Sequence, residues 1–249
     1  MGFIEIKKVK GVATLTLKRE KVNALNGMVV KQMRESLEAL EDDQETTSVV
    51  LTGAGKFFSF GFDIPEFISF TREEFTDYLI NFTELYTYLF LYPKPVVAAL
   101  NGHTIAGGCM LALACDCRLM VSGKAKISLN EISFGASVFA GSTEMLRFWV
   151  GSANATEVLF SGAMYSAEEA IRIGLVDQVM AESDLMHAAF NMASGLGSKY
   201  PPAFASIKSL LRRNTVEQMT RREQESIREF VEIWYSEQTW ENLKHIRIF

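Results

Sequence analysis

Three short stretches of the chain hold groups that could act on a ligand. The pair Gly107-Gly108 follows Asn101–Ala106 and precedes the apolar run Met110–Cys115. Glycines that open a helix leave backbone N–H groups unpaired at the positive end of its dipole, which suits an oxyanion or a phosphate, or simply close packing. In Phe57–Ile64 (FFSFGFDI) an aromatic strand end meets Gly61 and then Asp63, an acid placed to cap a following helix. Glu131 sits in Leu129-Asn130-Glu131-Ile132, with Ile127 and Phe134 close by. Buried there, its carboxyl would have a raised pKa and act as a base near neutral pH; on an edge strand it would be an ordinary exposed acid. Each stretch is ambiguous when taken singly.

The elements that must position these groups follow from periodicity. Residues 3–8 and 12–18 alternate in polarity around Gly11, as a hairpin with one buried face does. Met28, Val29, Met33, Leu37 and Leu40 recur at helical spacing, and Ser48–Thr52 is a β-branched strand ended by Gly53. A second helix over 72–92 stops before Lys94-Pro95, and Pro95–Leu100 is a buried strand. This alternation predicts an α/β fold with a parallel sheet flanked by helices. Beyond Pro201 the pattern is helical nearly to the end, with Phe230, Val231, Ile233, Trp234 and Trp240 supplying apolar faces that pack on the chain's own core or on a neighbouring subunit.

With 249 residues, 48% of them hydrophobic, the chain has ample material for a full core. A net charge of −5 and the lack of any long Lys/Arg run argue against nucleic acid as partner. No signal-peptide-like or membrane-spanning stretch is visible, so a cytoplasmic location is expected. Cys109, Cys115 and Cys117 lack the spacing and the histidines of a zinc site and read as reduced core thiols; no metal is expected.

Taken together, SFGFDI, NGHTIAGGCMLALACDCRL, SLNE, GSTEMLRFWVG and SAEEAIRIGLVDQV, in that order, resemble the crotonase (enoyl-CoA hydratase/isomerase) superfamily over about residues 3–200. The resemblance implies a crotonase-like spiral of ββα units over 1–200 and a helical C-terminal trimerisation region over 201–249, giving a homotrimer or a dimer of trimers. It implies acyl-CoA thioesters as ligands, with the coenzyme carried by the substrate and no cofactor of the protein's own. The thioester oxygen would lie between the N–H groups of Phe62 and Gly107. Coenzyme A would run along Lys21, Val22 and Ala24 and along Phe60, Gly61, Asp63 and Ile64, mostly on backbone. Asp63 and Asp116 match motif acids and are read as caps, and His103 as structural.

Hydratases of this family use two glutamates, but the alignment of their GGCELA with Gly107–Ala112 places Met110 where the first should stand. A thioether neither takes nor gives a proton, so efficient hydration is not expected. The remaining acid, written Leu-Asn-Glu, resembles the Δ3,Δ2-enoyl-CoA isomerases, for which one carboxylate suffices. Glu131 would then move the proton behind an apolar wall of Met110, Phe134 and Phe139. Glu144 could restore hydration if it reached the pocket, and thioesterase, decarboxylase or non-catalytic scaffold roles stand as alternatives.

Overall fold

The computed structural model describes residues 2–246; Met1 and residues 247–249, the ends of the expected core and tail, lie outside the described residues. Strands β1 (Ile4–Val9) and β2 (Val12–Leu17) form the expected antiparallel hairpin, with Ile4 opposite Leu17 and a turn at Lys10-Gly11, both at positive φ, but the expected buried face lies on β2 alone, since β1 is at the sheet edge and exposes Ile6 and Val9. Helix α1 (Gly27–Asp42) begins where the Val29 N–H donates to the Asn26 side chain at 3.1 Å. It buries Val29, Val30, Met33, Leu37 and Leu40. Met28, expected on that face, points to solvent, because it stands five residues before Met33, about 140° round the helix, and Val30 takes the inward place.

From β3 (Ser48–Gly53) onward the chain repeats one unit. β3 extends the first sheet in parallel with β2, and β4 (Phe57–Ser59) opens a second sheet. A short helix α2 (Ile64–Phe67) and the long α3 (Arg72–Leu91) follow, the latter started by a capping box between Thr71 and Glu74. The next turn supplies β5 (Val96–Leu100) to the first sheet, β6 (His103–Ile105) to the second, and α4 (Gly107–Ala114). The third supplies β7 (Cys117–Val121), β8 (Ile127–Ser128), a 3-10 turn over Glu131–Phe134, and α5 (Ala140–Ser161), which is broken at Gly151. After α6 (Ala167–Arg172), β9 (Gln178–Met180) completes a six-stranded sheet in the order β1-β2-β3-β5-β7-β9, beside the three-stranded sheet β4-β6-β8. Among the described strands, β1–β2 is the one antiparallel pair and every other strand pair is parallel. This is the α/β spiral of ββα units. Every residue of β5 is buried, as a central parallel strand covered on both faces requires.

Helix α7 (Glu182–Gly197) lies across β3, β5 and β7. The tail is α8 (Pro201–Trp234) followed by α9 (Glu237–Lys244). α8 packs on α3 and α5 of its own chain, burying Met219, Ile227, Phe230, Val231 and Trp234. It also buries Lys208 and Arg212, which pair with Asp116 at 2.8 and 3.0 Å. Asp116 accepts the Val96 N–H at 2.7 Å as well, so one carboxylate joins strand, turn and tail. Glu223 of α8 accepts the Gly141 N–H at 2.6 Å and the Tyr86 hydroxyl, and so caps α5 from another element.

Candidate active site

The site is assembled where the second sheet ends against two turns. Gly61, at φ 93, follows β4, and an added Cβ there would lie 2.8 Å from the Ile105 carbonyl oxygen and 3.1 Å from the Gly107 nitrogen. Only glycine permits that approach. The next residue is held by Leu25, whose N–H donates to the Gly61 carbonyl at 2.7 Å and whose carbonyl accepts the Asp63 N–H at 3.1 Å. Both groups flanking Phe62 are thus spent on one side of the strand. The Phe62 N–H faces the other side and has no acceptor among the described residues.

Ala106 enters α4 at φ 49 and ψ −118, a conformation that costs an L-residue about 1–3 kcal/mol. It is held there by its N–H, donated to the Ser128 carbonyl at 2.8 Å, and by its carbonyl, which accepts the Met110 N–H at 3.0 Å. The Gly107 N–H, first of the helix, also has no acceptor among the described residues. A Cβ on Gly107 would come within 2.9 Å of the Phe62 ring, so the two turns abut.

A cavity of about 260 Å³ opens at this junction. Phe60, Phe62 and Ile64 line it from one turn, and Ile105 and Ala106 from the other. The 3-10 turn contributes Glu131, Ser133 and Phe134, with Asn130 just before it. Glu131 is only 4% exposed, and neither carboxylate oxygen has a hydrogen-bond partner among the described residues. Burial pushes its carboxyl up to about 8, against a small opposing pull from its own backbone N–H. No other titratable side chain among the described residues lines the cavity.

The expected coenzyme-binding positions lie along the same edge. Lys21 is exposed; Val22 and Ala24 are buried, and the Val22 carbonyl accepts the Phe60 N–H at 3.0 Å, which brings the two segments side by side. Phe60 and Ile64 line the cavity. Asp63 does not: its carboxylate caps α2 through the Glu66 N–H at 3.1 Å and pairs with Arg19 at 2.5 Å. Of the expected wall, Phe134 lines the cavity. Met110 and Phe139 are fully buried outside its lining, Phe139 stacking behind on Phe230. Glu144 is also outside, beside Arg147 and Arg222 at 3.3 and 3.8 Å. His103 packs on Phe57 and takes no part. The three cysteines are free thiols whose pKa burial raises, and no metal-holding cluster occurs among the described residues.

The remaining lining residues are Phe230 and Trp234 of α8, expected only as apolar-face residues, and Ile246 after α9, which the sequence did not mark. The spacing of Phe230 and Trp234, four apart on a helix, marked a buried face without telling what it covers.

A family model described as enoyl-CoA hydratase/isomerase matches residues 7–244. The chain is 36% identical over 215 residues to the short-chain-enoyl-CoA hydratase of Clostridium acetobutylicum, covering 86% of this chain and 82% of that protein. It is 30% identical over 231 residues to mouse mitochondrial enoyl-CoA delta isomerase 1, covering 92% and 80%. Its fold is similar to that of human mitochondrial delta3-delta2-enoyl-CoA isomerase, with a TM-score of 0.93 at 26% identity over 97% of this chain and 95% of that one.

Proposed function

The chain belongs to the enoyl-CoA hydratase/isomerase family, and we propose that within it this protein is a Δ3,Δ2-enoyl-CoA isomerase working with one carboxylate. The observation that carries the reading is the buried Glu131, the lone titratable side chain and without a hydrogen-bond partner among the described residues, in a cavity bordered by the turns of Phe62 and Gly107. The Glu131 carboxylate removes a proton from C2 of a 3-enoyl thioester. The electron pair moves into the carbonyl to give a dienolate, whose oxygen the Phe62 and Gly107 N–H groups stabilise. The same carboxyl then returns the proton to C4, leaving the double bond between C2 and C3. Nothing is gained or lost overall, so a single proton carrier is enough. Hydration would need a second group to manage water, yet Met110 is buried in the core and Glu144 is paired with arginines.

The test offers 3-enoyl-CoA and 2-enoyl-CoA separately. Formation of 2-enoyl-CoA from the first, without formation of hydroxyacyl-CoA from the second, is the expected result. Rapid hydration of the second would make the protein a hydratase instead.

A further inference from the structure

One residue of the cavity lining carries a polar group that the proton transfer leaves unused. Trp234 is 1% exposed and lines the cavity, yet its indole Nε1–H has no acceptor among the described residues. Its ring is wedged against Phe75 at 4.6 Å and Phe230 at 5.7 Å between centroids, so it is not free to turn toward solvent for a partner. A buried donor left unpaired costs free energy that an acceptor on a ligand would restore.

Resting on the acyl-thioester reading above, we propose that Trp234 is a specificity-determining residue that selects short acyl chains bearing a neutral oxygen acceptor, such as a keto group, away from the thioester. The size follows from the cavity. A void of about 150 Å³ takes up benzene, or roughly 25 Å³ per non-hydrogen atom. About 260 Å³ therefore holds roughly ten such atoms, which leaves about eight carbons after the thioester sulfur and oxygen. The chemistry follows from the indole, which donates and does not accept. In a purely apolar cavity a keto group binds worse than a methylene, because it leaves water without a new partner. Asn130, Ser133 and the protonated Glu131 also line the cavity and can donate, so the preference is assigned to Trp234 only by its loss in a variant lacking the indole N–H.

The test measures binding of hexanoyl-CoA and its 4-oxo and 5-oxo derivatives by calorimetry; all are saturated and undergo no isomerisation. At least one oxo ester binds about fivefold or more tighter than hexanoyl-CoA. In Trp234→Phe, which keeps one aromatic ring and removes the pyrrole half of the indole with its donor, the ratio of oxo-ester to hexanoyl-CoA affinity falls to one or below. In the parent protein the Trp234 indole N–H resonance moves downfield with the favoured oxo ester and not with hexanoyl-CoA, a readout that decides the matter even if the variant does not fold. Equal or weaker binding of both oxo esters, or an advantage that survives in Trp234→Phe through another donor such as Asn130, overturns the proposal alone. Failure of every CoA ester to bind overturns the acyl-thioester reading with it.

Discussion

Glu131 shows how burial can make an ordinary side chain reactive. Its carboxyl, moved from 4.5 to about 8, is largely protonated at neutral pH, so the proton-abstracting form grows as pH rises. Isomerase kcat/KM should therefore climb about tenfold per unit below pH 8 and level off above it; a flat profile from pH 6 to 9 would mean that the catalytic carboxyl titrates below that range. Glu131→Gln should lower kcat by about 10²–10⁴ while leaving the affinity for saturated acyl-CoA nearly unchanged. The same residue affects stability. Between about pH 4.5 and 8 the folded state holds a proton that the unfolded state has released, so folding loses up to about 1.4 kcal/mol per pH unit as pH rises. Glu131→Gln should thus be more stable than the parent at pH 8, and urea titrations should show the gap narrowing toward pH 5.

At the scale of elements, two joints matter most. The first is the entry to α4, where Ala106 holds a strained backbone so that Gly107 begins the helix against Phe62. Ala106→Gly should raise stability by about 1 kcal/mol in denaturant titration, the relief of strain outweighing glycine's extra chain entropy. It should also lower kcat, because the Gly107 N–H is then held less firmly. The second is Asp116, which joins β5, the turn before β7, and α8 through the buried Lys208 and Arg212. Asp116→Asn leaves two buried cations without their counter-charge and should cost about 3–5 kcal/mol, measured as a fall in denaturation midpoint. A change below 1 kcal/mol would mean that water reaches those cations.

At the scale of the whole molecule, the spiral places β4, β6 and β8 side by side, so that the turn after each strand opens at one rim. α8 then folds back across that rim and closes the cavity with Phe230 and Trp234. Its outer face carries an apolar patch, with Ile207, Leu210 and Leu211 each more than half exposed. The homotrimer expected from the family resemblance has a surface available there. Sedimentation should give about three times 27.9 kDa, or six times for a dimer of trimers. Leu210→Glu with Leu211→Glu should lower that mass, and a monomeric parent would end the expectation. No helix among the described residues is long and apolar enough to cross a membrane.

Local patterns in the chain determined much of this. The β1–β2 hairpin, α1, β3, α3 and β5 were legible: α1 and α3 each bury one face at helical period, β3 and β5 are unbroken buried runs, and in the hairpin β2 alone carries the buried face. The motif order pointed to the family, and with it to Glu131, Phe62 and Gly107. Which side chains share a cavity was decided only by the tertiary structure. Met110 and Phe139, adjacent in pattern to the site, turn into the core, while Trp234, over a hundred residues from Glu131, closes the cavity. An apolar residue carries the same periodic signal whether it packs on another side chain or on a ligand, so periodicity reports burial and not what lies opposite. The unpaired state of Glu131 and of the Trp234 N–H is likewise a property of everything around them, and only folding reveals that no partner arrives.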